Sequence, residues 1–191
     1  MNQLILRYFK KINFKQQIIS YFLIIFYSLS LAISAKIKFY LPFSIVPFTL
    51  QMLVIFLIIF FEDKKIAFFS ILTYLCLGLL NLPFFANVSG IQAILGPTGG
   101  YLLGFLFSSL VASDKRKSLT QENVNFVKLF TKGVFVILIV YLFGFLGLLR
   151  FIDFKKAFLI GVLPFIIFDF YKLFIALFIY AKLNYKGLRI G

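Results

Sequence analysis

A chain of 191 residues that is 62% hydrophobic, with 29 Phe and only six acidic residues, carries more apolar surface than one soluble core can bury. Its formal net charge of +14 would suit nucleic acid in a soluble domain, but the basic residues lie between apolar runs, where they orient spans and meet anionic headgroups. With no histidine and a single cysteine, imidazole metal sites, Ser-His or Cys-His catalysis and an internal disulfide are excluded, which leaves an integral membrane protein with no cofactor, no metal and no nucleic-acid partner expected.

In chain order there is room for six spans of about 20 mostly apolar residues. The first is the uncharged run Gln16 to Ala35, a helix near 16–36 followed by Lys36 and Lys38. Residues 1–35 share a basic start and a small-residue end with signal peptides, but the apolar run is longer than an ordinary signal core and predicts an uncleaved helix. The second span falls within Leu41 to Phe61, where Pro42 and Pro47 make the opening a loop and place the helix at 48–61. Residues 66–113 then form 48 consecutive uncharged positions, far too many for one helix at ~1.5 Å per residue. The breakers Asn81-Leu82-Pro83 and Gly96-Pro97-Thr98-Gly99-Gly100 divide this run into a third helix at 66–80, an uncharged loop at 82–97 and a fourth helix at 98–113. A polar linker, Asp114 to Asn125, precedes a fifth helix at 128–149 and a sixth at 156–182. Cys76, inside an apolar run, reads as a small packing residue. The expectation is an all-α bundle of six transmembrane helices in one domain, residues 1–191. Fourteen basic residues, from Arg7 to Arg189, fall on one side of such a bundle and five on the other, which predicts that both termini are cytoplasmic.

Within the last apolar stretch stand Asp169 and Lys172. Twelve uncharged residues (157–168) precede the acid and nine (173–181) follow the base, so both lie deep in a bilayer. Each costs roughly 2.5–3.5 kcal/mol at a helix centre, and such groups normally face a cavity or a partner. Three residues apart, they share one helix face and can act on a single small ligand; the alternative is an ion pair that packs the bundle. On the predicted topology the Pro-rich loop 37–48, the loop 82–97 and the Asp169 half of the sixth helix share the outer side. Irregular backbone near membrane depth must be buried in protein or line a cavity, so the three are expected to converge on one outward-facing pocket. Thr49 and Gln51 follow the two prolines and are expected to line it, with helix capping as the alternative for Thr49. Gly99 and Gly100 permit close approach of backbone or ligand, and Tyr101 offers a ring face and a hydroxyl; close helix packing would explain the glycines as well. Ser28 and Ala32, and Ser30 and Ser34, are small residues four apart on the first helix, suited to docking a partner helix or to packing inside the bundle. There is no Gly-x-x-x-x-Gly-Lys-Ser/Thr phosphate loop, so ATP hydrolysis is not expected of this chain. An intramembrane enzyme would need a nucleophile with its base or a metal cluster, and a channel would need polar faces on several helices.

Three motifs carry a resemblance: Leu41-Pro42-Phe43-Ser44-Ile45-Val46-Pro47-Phe48-Thr49-Leu50-Gln51; Leu82-Pro83-Phe84-Phe85-Ala86 leading into Gly96-Pro97-Thr98-Gly99-Gly100-Tyr101-Leu102-Leu103-Gly104-Phe105; and Asp169-Phe170-Tyr171-Lys172. In this order and spacing, over about residues 30–180, the chain resembles the biotin transporter family known as BioY. The resemblance implies a multi-pass protein of the bacterial cell membrane, the substrate-binding (S) component of an energy-coupling factor (ECF) transporter. Such components bind biotin outside and deliver it to the cytoplasm, energised by a transmembrane (T) component and a pair of ATP-binding cassette ATPases. On that reading Asp169 accepts from the ureido N–H groups of biotin and Lys172 donates to its carbonyl oxygen. One departure stands out. Some members of the family carry an Arg in the loop before Gly-Pro-Thr-Gly-Gly that suits a carboxylate, whereas here residues 86–92 are uncharged. Asn87, Ser89 or Gln92, or Lys36 or Lys38 from the first loop, remain candidates to hold the carboxylate of biotin. An S component for another vitamin is the nearest rival reading.

Overall fold

Uninterrupted apolar runs set the long helices, and Gly, Pro and capping residues set their ends. The computed structural model describes residues 2–42, 44–112 and 125–187. The expected linker at 114–124, residue 113 of the expected fourth helix and Arg189 lie outside the described residues.

Helix α1 spans Asn2–Lys36 and so begins well before residue 16, because neither Gly nor Pro occurs ahead of Pro42 to stop it. Its apolar part is Gln16–Lys36, one of three helical stretches among the described residues long and apolar enough to cross a membrane. The other two are Phe126–Leu148 and Phe154–Leu183. Helix α2 (Gln51–Phe61) starts later than the expected residue 48. Instead, Phe48–Thr49 form a short strand β2 that pairs antiparallel with β1 (Lys38–Phe39), Lys38 opposite Thr49 and Phe39 opposite Phe48. Pro47 biases Val46 toward extended backbone, and an aromatic followed by a β-branched residue prolongs it. At 11 residues α2 rises only about 16 Å against a hydrocarbon core of about 30 Å. The depth it leaves is available to the strand pair and its loop.

Helix α3 (Lys64–Leu79) opens on Asp63, whose carboxylate accepts from the Ile66 N–H at 2.9 Å. It ends before Asn81, which takes a left-handed φ of 63°. The loop expected to stay irregular at 82–97 holds a short helix, α4 (Ile91–Leu95), entered through Gly90 at φ 70°. The Gly90 N–H donates to Gly78 O at 2.8 Å, and Asn81 Oδ1 occupies the place a side chain at Gly90 would need. Helix α5 (Gly99–Ser108) continues as a 3₁₀ turn, Ser109–Val111. Helix α6 (Phe126–Leu148) is capped by Asn125, whose side chain accepts from Lys128 N at 2.9 Å. Helices α5 and α6 meet backbone to backbone, since a Cβ on Gly147 would lie 2.9 Å from the Cα of Gly100.

The sixth helix, expected unbroken over 156–182, is two helices: α7 (Phe154–Gly161) and α8 (Leu163–Gly187), with the break at Val162. Pro164 causes it, because Pro has no N–H for the carbonyl four residues back and its ring crowds that carbonyl. In the assembled bundle α5 packs on α6, α1 on α3, and α2 on α8. Leu31, Ile55, Ile71, Val136 and Leu173 are fully buried between them, while Phe22, Ile33, Phe135, Ile167 and Phe178 stand exposed on the outside. Cys76 is among the exposed residues, so it is not the interior packing residue expected of it.

Candidate functional site

Helix α8 carries two charges into the bundle. Asp169 and Lys172 are 3% and 5% exposed, and the ammonium lies 2.7 Å from Asp169 Oδ1. The other carboxylate oxygen, Oδ2, accepts from the hydroxyl of Tyr141 on α6 at 2.8 Å. Lys172 Nζ also sits 3.8 Å from the centroid of the Phe48 ring, a cation over a π face supplied by β2. Each charge therefore has an opposite charge and a second polar or aromatic neighbour, which is what burial of an ion pair demands.

The pair opens onto a cavity, which distinguishes it from an ion pair sealed between helices. Counted with its open mouth, the cavity holds about 670 Å³ of empty space. Its walls come from the segments expected to converge, with Val46 and Pro47 of the first loop, residues 85–88 of the loop after α3, and Asp169 and Lys172 of α8, and also from Thr49 of β2 and Gln51 of α2. Helices α5 and α6 complete it with Tyr101 and Tyr141 among others. Gln51 is buried, its Nε2 donating to the Tyr74 hydroxyl at 2.7 Å, and Thr49 Oγ1 donates to Gln51 Oε1 at 3.2 Å. Thr49 Oγ1 also accepts from the Gln51 N–H at 3.4 Å, but the residue at the N-cap of α2 is Leu50, so Thr49 lines the cavity without being the helix cap.

At the rim, two lysines strap the loop after α3. Lys36 Nζ donates to Phe85 O at 2.7 Å, and Lys38 Nζ donates to Ala86 O and reaches Asn87 Oδ1 at 3.4 Å. Tyr40 donates its hydroxyl to the same Asn87 oxygen. Asn87 is thus an exposed lining residue with a cation beside it, whereas Ser89 and Gln92 do not line the cavity.

Three expectations need correction. Gly99 does not line the cavity; it is buried against α4, where a Cβ would strike the carbonyl of Ile94, so its smallness serves packing. Tyr101 does line it, but its hydroxyl is committed to Gly161 O at 2.6 Å. Ser28, Ala32 and Ser34 are 1%, 8% and 5% exposed, inside the bundle rather than on a docking face, and only half-buried Ser30 stays near the surface, bonded to Phe26 O at 2.8 Å. The residues not singled out from sequence are Tyr141, Tyr74 and Phe48. A tyrosine within an apolar span is a weak polar signal, and among ten Tyr it did not separate these two.

A family model for the BioY family matches residues 9–187. The chain belongs to the BioY family. Among relatives, it is 39% identical over 140 residues to the "Probable biotin transporter BioY" of Pyrococcus horikoshii, covering 73% of this chain and 81% of that one. It is 37% identical over 146 residues to the "Biotin transporter BioY" of Thermotoga maritima, covering 75% and 84%. In fold, this BioY-family chain is similar to the crystal structure of the S-component for biotin from an ECF-type ABC transporter. The TM-score is 0.76 with 22% identity, over 89% of this chain and 93% of that one.

Proposed function

We propose that this chain is a biotin uptake protein, the membrane-embedded S component that binds biotin from outside and releases it to the cytoplasm. The observation that carries the reading is the Asp169–Lys172 pair, buried in the middle of an apolar helix and yet lining a cavity. A carboxylate and an ammonium side by side match the ureido ring of biotin, Asp169 accepting from N–H and Lys172 donating to the carbonyl oxygen. Thr49 and Gln51 line the same wall. The carboxylate of biotin then lies toward the rim, where Lys38 stands beside Asn87. Lys38 is preferred over Lys36 because it reaches a side chain of the cavity wall, Asn87, whereas the bond of Lys36 is to the backbone carbonyl of Phe85.

Six crossings with both termini cytoplasmic suit this role. With α3 (Lys64–Leu79), the two short apolar helices, Gln51–Phe61 and Gly99–Val111, bring the three long stretches to six, and the shortness of those two leaves depth for the pocket. Energy comes from partners, a T component and ABC-type ATPases, since the sequence holds no phosphate loop. The exposed apolar residues of the outside meet membrane lipid.

The test is equilibrium binding of labelled biotin to the full chain in lipid nanodiscs, beside Asp169→Asn and Lys172→Ala. Tight, one-to-one binding that both substitutions weaken supports the reading. A folded wild type that ignores biotin and binds another vitamin overturns the substrate.

A further inference from the structure

Pro164 leaves two carbonyls without their helical donors. In an unbroken helix Ile160 O would accept from residue 164, which has no N–H. Gly161 O would accept from Phe165, but that N–H donates to Val162 O at 3.1 Å. Both carbonyls are met by side chains from elsewhere in the chain. Ser44 Oγ lies 2.7 Å from Ile160 O, and Tyr101 OH lies 2.6 Å from Gly161 O.

Neither contact is incidental. Ser44 is 8% exposed in the first loop, and its hydroxyl, which accepts from Val46 N at 3.1 Å, has a single proton to give. Val46 O stands at 3.2 Å and Ile160 O at the shorter 2.7 Å, so the kink is the better acceptor. The Tyr101 ring crosses α6 where only Gly144 leaves it room, and at its far end a Cβ on Gly161 would lie 2.8 Å from its hydroxyl oxygen. Two glycines thus clear its path to the kink. Asp169 stands eight residues beyond Gly161, about 12 Å along the helix. A swing of roughly 10° at the kink would move it by about 2 Å, well beyond the ~0.5 Å tolerance of a preorganised site.

We propose that Ser44 and Tyr101 are positioning residues: by capping the two carbonyls freed at Pro164 they fix the angle between α7 and α8, and so set where Asp169 and Lys172 stand in the cavity. Ser44 does this from outside the cavity lining, and Tyr101 does it with a hydroxyl that is turned to the kink instead of to ligand. The affinity arm of the test rests on the proposed binding of biotin; the geometric arm does not.

The geometric arm uses the full chain in nanodiscs, with Cys76→Ser and spin labels on Leu159→Cys and Phe178→Cys, exposed positions on either side of the kink. Ser44→Ala and Tyr101→Phe are each expected to shift or broaden the label-to-label distance, and the double variant to do so more. Ser70→Ala, whose hydroxyl bonds its own helix at Ile66 O (2.7 Å), is expected to leave the distance unchanged. In the affinity arm each kink variant is expected to weaken biotin binding about tenfold. That loss should shrink once Asp169→Asn is in place, because part of it acts through Asp169. Unchanged distances in both single variants and the double variant overturn the proposal, as does an affinity loss that adds in full to that of Asp169→Asn. If the wild type does not bind biotin, the proposed ligand falls and the distances alone decide the kink.

Discussion

At the scale of single residues, the chemistry concentrates in one ion pair and the groups that hold it. Removing one partner of a buried pair costs about 3–5 kcal/mol, because the other charge is stranded, whereas removing both charges is often near neutral. Lys172→Ala is therefore expected to lower thermal stability sharply. Asp169→Asn combined with Lys172→Met, which leaves an acceptor for the Tyr141 hydroxyl, should melt close to the wild type yet bind no biotin. Thermal unfolding followed beside biotin binding checks both; a double variant as unstable as the single one would mean the two charges are not coupled. Tyr141→Phe deletes one hydrogen bond to a charged acceptor, worth about 1.5–3 kcal/mol, and is expected to weaken biotin binding at least tenfold with the fold retained. Asp169 and Lys172 were legible in the sequence because a charge inside an apolar run has few structural excuses. Tyr141 was not, because a tyrosine in a span is unremarkable until its hydroxyl is seen on a carboxylate.

At the scale of elements, caps and close approaches decide where helices begin, end and touch. Asp153 caps α7, accepting from Lys156 N at 3.0 Å, and a salt bridge to Lys156 Nζ at 3.2 Å adds to it. The bond from the Lys156 backbone, then the one from its side chain, hold the Asp153 carboxyl below its ordinary value. A carboxyl lowered by folding contributes stability that is present above its unfolded value, about 3.9, and is lost as pH falls through the lowered one. The difference in melting temperature between wild type and Asp153→Ala should accordingly shrink as pH drops below about 4; a difference independent of pH would argue against the cap. Where α5 meets α6, Gly100→Leu is expected to abolish folding, read as loss of a monodisperse peak in detergent, because the carbonyl of Phe143 and the backbone of Gly147 leave no space for a side chain. The breakers at 81–83 and 96–100 were readable as ends of helices. The short strands, α4 and the split at Val162 were not, since each depends on a partner distant in sequence or on one proline inside a run that otherwise reads as helix.

At the scale of the whole molecule, the pocket exists because short helices and long ones share one bundle. The proposed arrangement puts Arg150 outside and Lys65 inside, both exposed residues at helix ends. In a Cys76→Ser background, Arg150→Cys should react with a membrane-impermeant maleimide on intact cells, and Lys65→Cys only after permeabilisation. The reverse pattern would invert the topology, and labelling of both on intact cells would mean an even number of crossings between them instead of the three proposed.

Composition and apolar run length decided that the chain lives in a membrane, because no soluble core could hold so much hydrophobic surface. The same runs exposed Asp169 and Lys172, and the spacing of the Pro and Gly motifs pointed to the family. Those properties are local, so they survive in a one-dimensional reading. Which groups surround the pair depends on contacts between residues far apart in sequence, as Tyr141 lies 28 positions from Asp169 and Ser44 lies 116 from Ile160. Whether a small residue such as Gly99 or Ser28 meets a ligand, a partner or its own bundle is likewise a matter of which face turns inward, and only the packed helices decide that.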